Sequence, residues 1–88
     1  MTLDTFITYL NQGREIEFRL DEHEYFLQPD YESCKLSNEI KYVLYDCANP
    51  SMLSTCCCGT IQDILHYNFG KEISLQNNFQ HFKWDYVL

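Results

Sequence analysis

The chain has 88 residues, 45% of them hydrophobic and 16% aromatic, which is enough apolar material for one folded domain over residues 1–88 and too much for disorder. Thirteen acidic residues against six basic ones give a formal net charge of −7, a field that repels nucleic acid and favours a basic partner. No apolar run approaches the roughly 18 residues of a membrane span, and the N-terminal MTLDTFITYL lacks the basic start of a signal peptide. We therefore expect a cytoplasmic protein.

Hydrophobic periodicity predicts a helix and then a β-hairpin at the start of the chain. Residues 3–12 carry an apolar stripe at helical spacing, with Thr2 as a suitable N-cap. The run REIEFRL alternates, with its apolar residues on one face and its charged residues on the other. Residues 25–28 return after a polar turn, so the pattern predicts a hairpin over residues 15–28.

The middle of the chain predicts two more strands and a second helix. Residues 40–47 are dense in β-branched and aromatic residues, and residues 52–58 can pair back on them after a turn at 49–51. Thr60 is a good N-cap for the second helix, and Asp63, three residues on, can return the bond in a variant of the capping box.

The last part of the chain completes the predicted fold. Ser74 can cap a short helix, and residues 82–88 alternate well enough to form a last strand. The order of elements predicts an α+β fold, with a mainly antiparallel sheet of about four to five strands packed with an N-terminal helix and a second helix after the cysteine cluster.

Three adjacent cysteines in LSTCCCGTIQDIL raise the question of a metal site. In a strand, Cys56 and Cys58 would share one face and Cys57 would point away. Cys47 would come near Cys56 if the two strands pair as a hairpin. An odd total of five cysteines in a reducing compartment argues against a disulfide framework.

A tetrahedral structural zinc needs four ligands, with bonds of about 2.3 Å to sulfur. The fourth group could be Cys34, in the predicted loop over residues 29–39, or Cys57, or His66. The ligand set that we predict is Cys34, Cys47, Cys56 and Cys58. The alternative is that the thiols are small buried hydrophobic groups without a metal.

The sequence contains none of the motifs GxSxG, P-loop, GxGxxG or HExxH, and we expect no enzymatic activity. A nucleophile pair could be assembled from Cys57 and His66, but nothing in the sequence positions it. His23 is expected in a solvated turn and His81 on the surface.

Acidic residues are concentrated over residues 15–32, which hold seven of them against one base, Arg19. This pattern favours a protein-binding module that docks on a basic groove. Carboxylates on one face of a strand repeat at about 6.6–6.8 Å, close to the phosphate spacing along a DNA strand, so they could mimic DNA. The predicted partner-binding residues are Glu15, Glu17, Asp21, Glu22 and Glu24, with Tyr25, Tyr31 and Tyr45 as aromatic anchors.

Three stretches, LNQGREIEFRLDEHEYFLQPDY, YVLYD and ISLQNNFQHFKWDYVL, resemble small phage and prophage proteins of low-GC Gram-positive bacteria. In size, charge and style the chain is similar to the streptococcal anti-CRISPR proteins that inhibit type II-A Cas9. The resemblance implies a phage-encoded inhibitor that binds Cas9 or its guide RNA complex in the host cytoplasm. The cysteine cluster is a departure from that style.

Two functions from different classes therefore stand as expectations. The first is an anti-CRISPR protein that binds Cas9 through its acidic surface and hinders DNA loading or cleavage, with a structural zinc supporting the fold. The second is a small zinc-binding adaptor or regulator of another host protein that does not act on CRISPR.

Overall fold

The computed structural model describes residues 1–32, 38–47 and 53–88, which form a five-stranded antiparallel sheet with short helices over one face. The predicted α+β fold is thereby confirmed. In chain order the elements are α1 (Leu3–Asn11), β1 (Ile16–Leu20), β2 (His23–Pro29), β3 (Lys41–Asp46), β4 (Ser54–Thr60), α2 (Ile61–Leu65), α3 (Leu75–Asn78), a 3₁₀ helix (Phe79–His81) and β5 (Phe82–Val87). The predicted turn at 49–51 and Cys34 lie outside the described residues.

The strands lie in the order β4-β3-β2-β1-β5, so the last strand of the chain pairs beside the first. All the pairings are antiparallel. Asp21 and Glu22 form the two-residue turn of the predicted hairpin, with Leu20 opposite His23. Asp21 has a φ of 56°, a left-handed conformation that Asp adopts more readily than most residues.

The hydrophobic core lies between one face of the sheet and the helices. Its buried apolar side chains are Phe6, Leu10, Ile16, Phe18, Leu20, Tyr25, Leu27, Tyr42, Leu44, Ile64, Leu65, Leu75 and Phe82. Aromatic rings fill much of this space, and Trp84 of β5 lies 4.9 Å from Phe6 and 4.8 Å from Phe79 between ring centroids. In the described part of the chain, none of the helices has the length and apolar character needed to cross a membrane.

The predicted capping box fixes the start of α2. The hydroxyl of Thr60 accepts a hydrogen bond from the backbone N–H of Asp63 at 3.2 Å, and the Asp63 carboxylate accepts one from the N–H of Thr60 at 2.9 Å. The bonds from Thr60 hold the pKa of Asp63 below its ordinary value. Gly59 precedes the box because a Cβ there would press against the Asp63 carboxyl group. The helix then turns toward the core without an intervening loop.

A buried hydroxyl ties α1 to the sheet. The Tyr42 side chain is fully buried in β3, and its hydroxyl lies 3.0 Å from the carbonyl oxygen of Leu10 and 2.9 Å from that of Arg14. These two carbonyls belong to the end of α1 and to the segment that leads into β1. Tyr42 therefore fixes the angle at which the chain leaves the helix and enters the sheet.

We predict that Tyr42→Phe lowers the free energy of unfolding by about 1–2 kcal/mol, because the Leu10 and Arg14 carbonyls lose the Tyr42 hydroxyl as a donor while the ring still packs. Urea denaturation followed by tryptophan fluorescence measures the change. Tyr9→Phe is the matched control, since the Tyr9 hydroxyl forms no hydrogen bond among the described residues and its loss should change stability by less than about 0.5 kcal/mol. Equal effects of the two variants would contradict this role of Tyr42.

Candidate protein-binding face

The sheet face opposite the core is not covered by any helix in the part of the chain that the structure describes. We call this the open face. It is formed by side chains that alternate with the core residues along the strands and are exposed or partly exposed. Those used below are Glu17, Arg19, Glu24, Phe26, Tyr45, Cys58, Lys83, Asp85 and Tyr86.

A row of aromatic and acidic side chains crosses the middle of the open face. Glu17 of β1 lies opposite Phe26 of β2 on one side and Tyr86 of β5 on the other. Phe26 in turn lies opposite Tyr45 of β3, and their rings stack at 6.3 Å between centroids. Tyr86 is 55% exposed, so the row presents large apolar surface to solvent beside a carboxylate.

The only base of the acidic hairpin is paired with an acid from another strand. The Nε and Nη2 atoms of Arg19 each donate to a carboxylate oxygen of Asp85 at 2.9 Å, a bidentate ion pair that joins β1 to β5. Neither Glu17 nor Glu24 forms an ion pair within residues 1–32, 38–47 and 53–88. Arg19 lies directly opposite Glu24 and Lys83, but its ion pair is with Asp85 and not with either glutamate.

A cavity of about 290 Å³ lies beside the two glutamates. Glu17 and Glu24 line it together with the Arg19–Asp85 pair and the thiol of Cys47. Because the Arg19–Asp85 pair is neutral overall, the two glutamates give the cavity a net negative lining suited to a positively charged group.

The other predicted partner-binding residues, Glu15, Asp21 and Glu22, lie outside the cavity. Glu15 precedes β1, and its carboxylate accepts a hydrogen bond from the Tyr31 hydroxyl at 3.2 Å. Asp21 and Glu22 lie at the exposed tip of the hairpin. All five predicted acids therefore belong to one hairpin, but only Glu17 and Glu24 border the cavity.

The three tyrosines predicted as interface anchors lie in different environments. Tyr25 is only 9% exposed and points into the core, where burial, followed by the charge of Asp46, raises its pKa to about 12, so its prediction as an interface anchor was wrong. Tyr45 lies on the open face, and Tyr31 is exposed beside Glu15. Strand alternation assigns Tyr25 to the core, because it shares a face with Leu27.

Sequence reasoning missed Asp85 and Tyr86. Simple alternation from the core residue Trp84 would turn Tyr86 toward the helices. A β-bulge instead shifts the register from Glu17 opposite Tyr86 to Phe18 opposite Trp84, leaving Asp85 as the extra residue. The one signal in the sequence was the alternating tail, which predicts a strand but not a bulge.

A second bulge, in β4, changes the side of the sheet on which the cysteines were predicted to lie. The register shifts from Leu44 opposite Cys57 to Tyr45 opposite Thr55, so Cys56 is the extra residue. Cys56 and Cys57 therefore both pack against the core, whereas Cys58 is exposed. The prediction that Cys56 and Cys58 share a face was wrong, because an inserted residue breaks the alternation.

The partly buried thiols are held in the neutral form. Burial raises the pKa of Cys47, and the charges of Glu24 and Glu17 raise it further. Burial is also the main cause of the raised pKa at Cys56 and at Cys57.

The three predicted zinc ligands that the structure describes, Cys47, Cys56 and Cys58, do not lie together. Cys47 borders the cavity of the open face, Cys56 packs toward the helices beside Tyr67, and Cys58 is exposed. Within residues 1–32, 38–47 and 53–88, no three His, Cys, Asp or Glu side chains could together hold a metal ion. Cys34 lies outside the described residues, so the four-thiol set stays a prediction.

The three histidines are dispersed over the fold. His23 is in β2 and its Nε2 lies 2.6 Å from a carboxylate oxygen of Asp46, so it is more constrained than a solvated turn residue. His66 ends α2, with Nδ1 3.0 Å from the carbonyl oxygen of Gln62. His81 is exposed, as predicted. Among the described residues no hydrogen bond joins His66 to Cys57.

Comparison of the chain with family models, with curated proteins and with solved structures finds no match. The open face is therefore interpreted from its own residues.

We predict that the thiols differ in reactivity in the folded protein. Iodoacetamide at neutral pH should modify exposed Cys58 first, and Cys47, Cys56 and Cys57 more slowly because burial lowers their thiolate fraction. Peptide mapping by mass spectrometry gives the order of modification. The same reaction in urea is the control, since unfolding should remove the difference. Modification of Cys57 as fast as Cys58 in the folded state would contradict the assignment.

The zinc prediction requires about one zinc per freshly purified chain, because a closed structural site binds tightly. Elemental analysis measures it, and less than about a tenth of an equivalent contradicts the prediction. With the predicted ligand set, Cys58→Ser should release the metal and Cys57→Ser should keep it. If Cys57→Ser loses zinc and Cys58→Ser keeps it, the predicted ligand set is wrong at this position, and Cys57 takes the place of Cys58.

Proposed function

We propose that this chain is a phage-encoded inhibitor of Cas9 that binds a basic surface of the nuclease through its acidic β1–β2 hairpin and performs no reaction of its own. The observation that supports the proposal best is the pair of carboxylates, Glu17 and Glu24, on an uncovered sheet face. Because Arg19 is paired with Asp85, these carboxylates are available to a base from a partner.

The charge of the whole chain supports a basic partner. With a net charge of −7, the chain is attracted over long range to a positive groove, which speeds their encounter. The same charge repels nucleic acid. The basic channels of nucleic-acid enzymes are surfaces of this kind. An acidic domain seated in such a channel occupies positions that phosphates would take, and so hinders loading of target DNA.

The geometry of the hairpin supports this form of competition. Glu15 directly precedes β1 and Glu17 lies within it, so their carboxylates extend from one face of an extended chain at about 6.6–6.8 Å per two residues. Asp21 and Glu22 continue the acidic surface to the tip of the hairpin. The resemblance to streptococcal anti-CRISPR proteins selects Cas9 among the possible basic partners.

The proposal places the chain in the bacterial cytoplasm, where Cas9 acts. It does not require a bound metal, because the acidic residues are positioned by the pairing of β1 and β2. A structural zinc, if the elemental analysis finds one, would support the fold and not the contact.

We predict that the chain co-elutes with the Cas9–guide RNA complex at moderate salt and slows target cleavage. Glu17→Lys combined with Glu22→Lys should weaken binding by about tenfold or more, because two attractive contacts become repulsive. Titration of the labelled chain against the complex measures the affinity, and the cleavage rate is measured on the same samples.

Glu72→Lys is the control variant, because Glu72 is exposed among residues of the helix layer and its reversal changes the net charge without touching the hairpin. It should weaken binding by about twofold or less. Absence of both co-elution and any effect on cleavage would rule the proposal out.

A further inference from the structure

We infer that the open face is a docking site for an arginine-bearing basic segment of a partner protein, with Glu17 as its charged centre and Phe26 and Tyr86 as the flanking aromatic contacts. The inference rests on the proposed function and adds the surface and the chemistry of the partner. It narrows the proposed contact from the whole acidic hairpin to the middle of the sheet.

The first argument is the placement of aromatic rings beside a carboxylate. Glu17 lies directly opposite a ring on each neighbouring strand, Phe26 on β2 and Tyr86 on β5. Side chains directly opposite each other in an antiparallel sheet are about 4.5–5.5 Å apart at Cβ. A guanidinium group above Glu17 can therefore pair with the carboxylate and lie against an aromatic ring at the same time.

The second argument is the charge around the cavity next to this row. Glu17 and Glu24 both line the cavity of about 290 Å³, and the one base there, Arg19, is held by Asp85. The Arg19–Asp85 pair is neutral overall, so the net charge of the lining is that of the two glutamates. Lys83 lies opposite Arg19 at the border of the face and not between the glutamates.

The third argument is the concentration of exposed apolar side chains at the same end of the sheet. Tyr86, Leu88 and Tyr31 are each more than half exposed. The backbone N–H of Leu88 donates to the carbonyl oxygen of Glu15, and the Tyr31 hydroxyl donates to the Glu15 carboxylate. Tyr31 and Leu88 therefore add exposed apolar area beside Glu15, so this end of the sheet combines apolar area with carboxylates as protein interfaces do.

The negative charge of the open face favours a basic segment as its partner. A second copy of the chain docked on this face would bring two identical acidic patches together, and each copy carries −7. Nucleic acid and anionic lipid are repelled for the same reason. Arginine fits better than lysine, because its planar group can form a bidentate bond to a carboxylate and stack on a ring, whereas an ammonium group acts as a point charge.

The test uses the isolated chain and two labelled peptides, one of alternating arginine and glycine and one of alternating lysine and glycine, at low salt. We expect the arginine peptide to bind more tightly than the lysine peptide. Glu17→Gln and Tyr86→Thr should each weaken the arginine peptide by roughly fivefold, as expected for loss of one good contact. Glu72→Gln is the matched control and should change affinity by less than about twofold.

Amide chemical shifts give the location. With the arginine peptide, shifts should concentrate at Glu17, Phe26, Tyr45 and Tyr86, and Tyr86→Thr should keep the dispersed spectrum of a folded protein. Equal affinity for both peptides, equal weakening by Glu72→Gln, or shifts centred on the helix layer would overturn the inference. A dimer that Tyr86→Thr dissociates would overturn it in favour of a second copy.

The two proposals fail separately. Arginine peptide bound at the open face by a chain that does not bind Cas9 contradicts the choice of Cas9 and supports the docking site. Cas9 binding that is unchanged by Glu17→Gln and Tyr86→Thr but lost on Glu22→Lys contradicts the docking site and supports an acidic contact at the hairpin tip.

Discussion

The antiparallel pairing of β1 with β2 is the constraint on which both faces of this small protein depend. Burial of Ile16, Phe18 and Leu20 against the helices forces Glu17 and Arg19 to the opposite face, because successive side chains of a strand alternate. A slip of one residue would place charges in the core, so the apolar set holds the register. The acidic face is thus positioned by the same contacts that stabilise the fold.

Burial alone does not make the open face acidic. Arg19 stands among the hairpin acids and would neutralise one of them if it folded back over its own hairpin. Its bidentate bond to Asp85 turns it instead toward β5. That bond depends on the bulge in β5, which brings Asp85 and Tyr86 to the outer side together. An exposed ion pair of this kind contributes about 0–1 kcal/mol to stability, so its main consequence is the distribution of charge.

Much of the fold could be predicted because its signals are local. Thr60 and Asp63 are three residues apart and form the capping box that their spacing indicates. The hairpin follows from alternation around a polar turn. The two bulges could not be predicted, since an extra residue is defined only against the partner strand. The bulges determine on which face of the sheet Cys56 and Tyr86 lie. The prediction that Cys56 shares a face with Cys58 was therefore wrong, and Tyr86, the most exposed residue of the aromatic row, was missed.

The predicted metal ligands and the proposed docking site meet at Cys47, which borders the cavity beside Glu17 and Glu24. The charges of these two glutamates raise the pKa of Cys47 beyond the effect of burial. A divalent ion held by the four predicted thiolates would carry a net charge of about −2 together with its ligands, because each thiolate contributes one negative charge. Such a site would add to the negative charge of the two glutamates and would not offset it. Cys56 and Cys57 pack against the core, away from the open face. A bound zinc and the proposed docking of a basic segment are therefore compatible in charge, and each has to be tested by its own measurement.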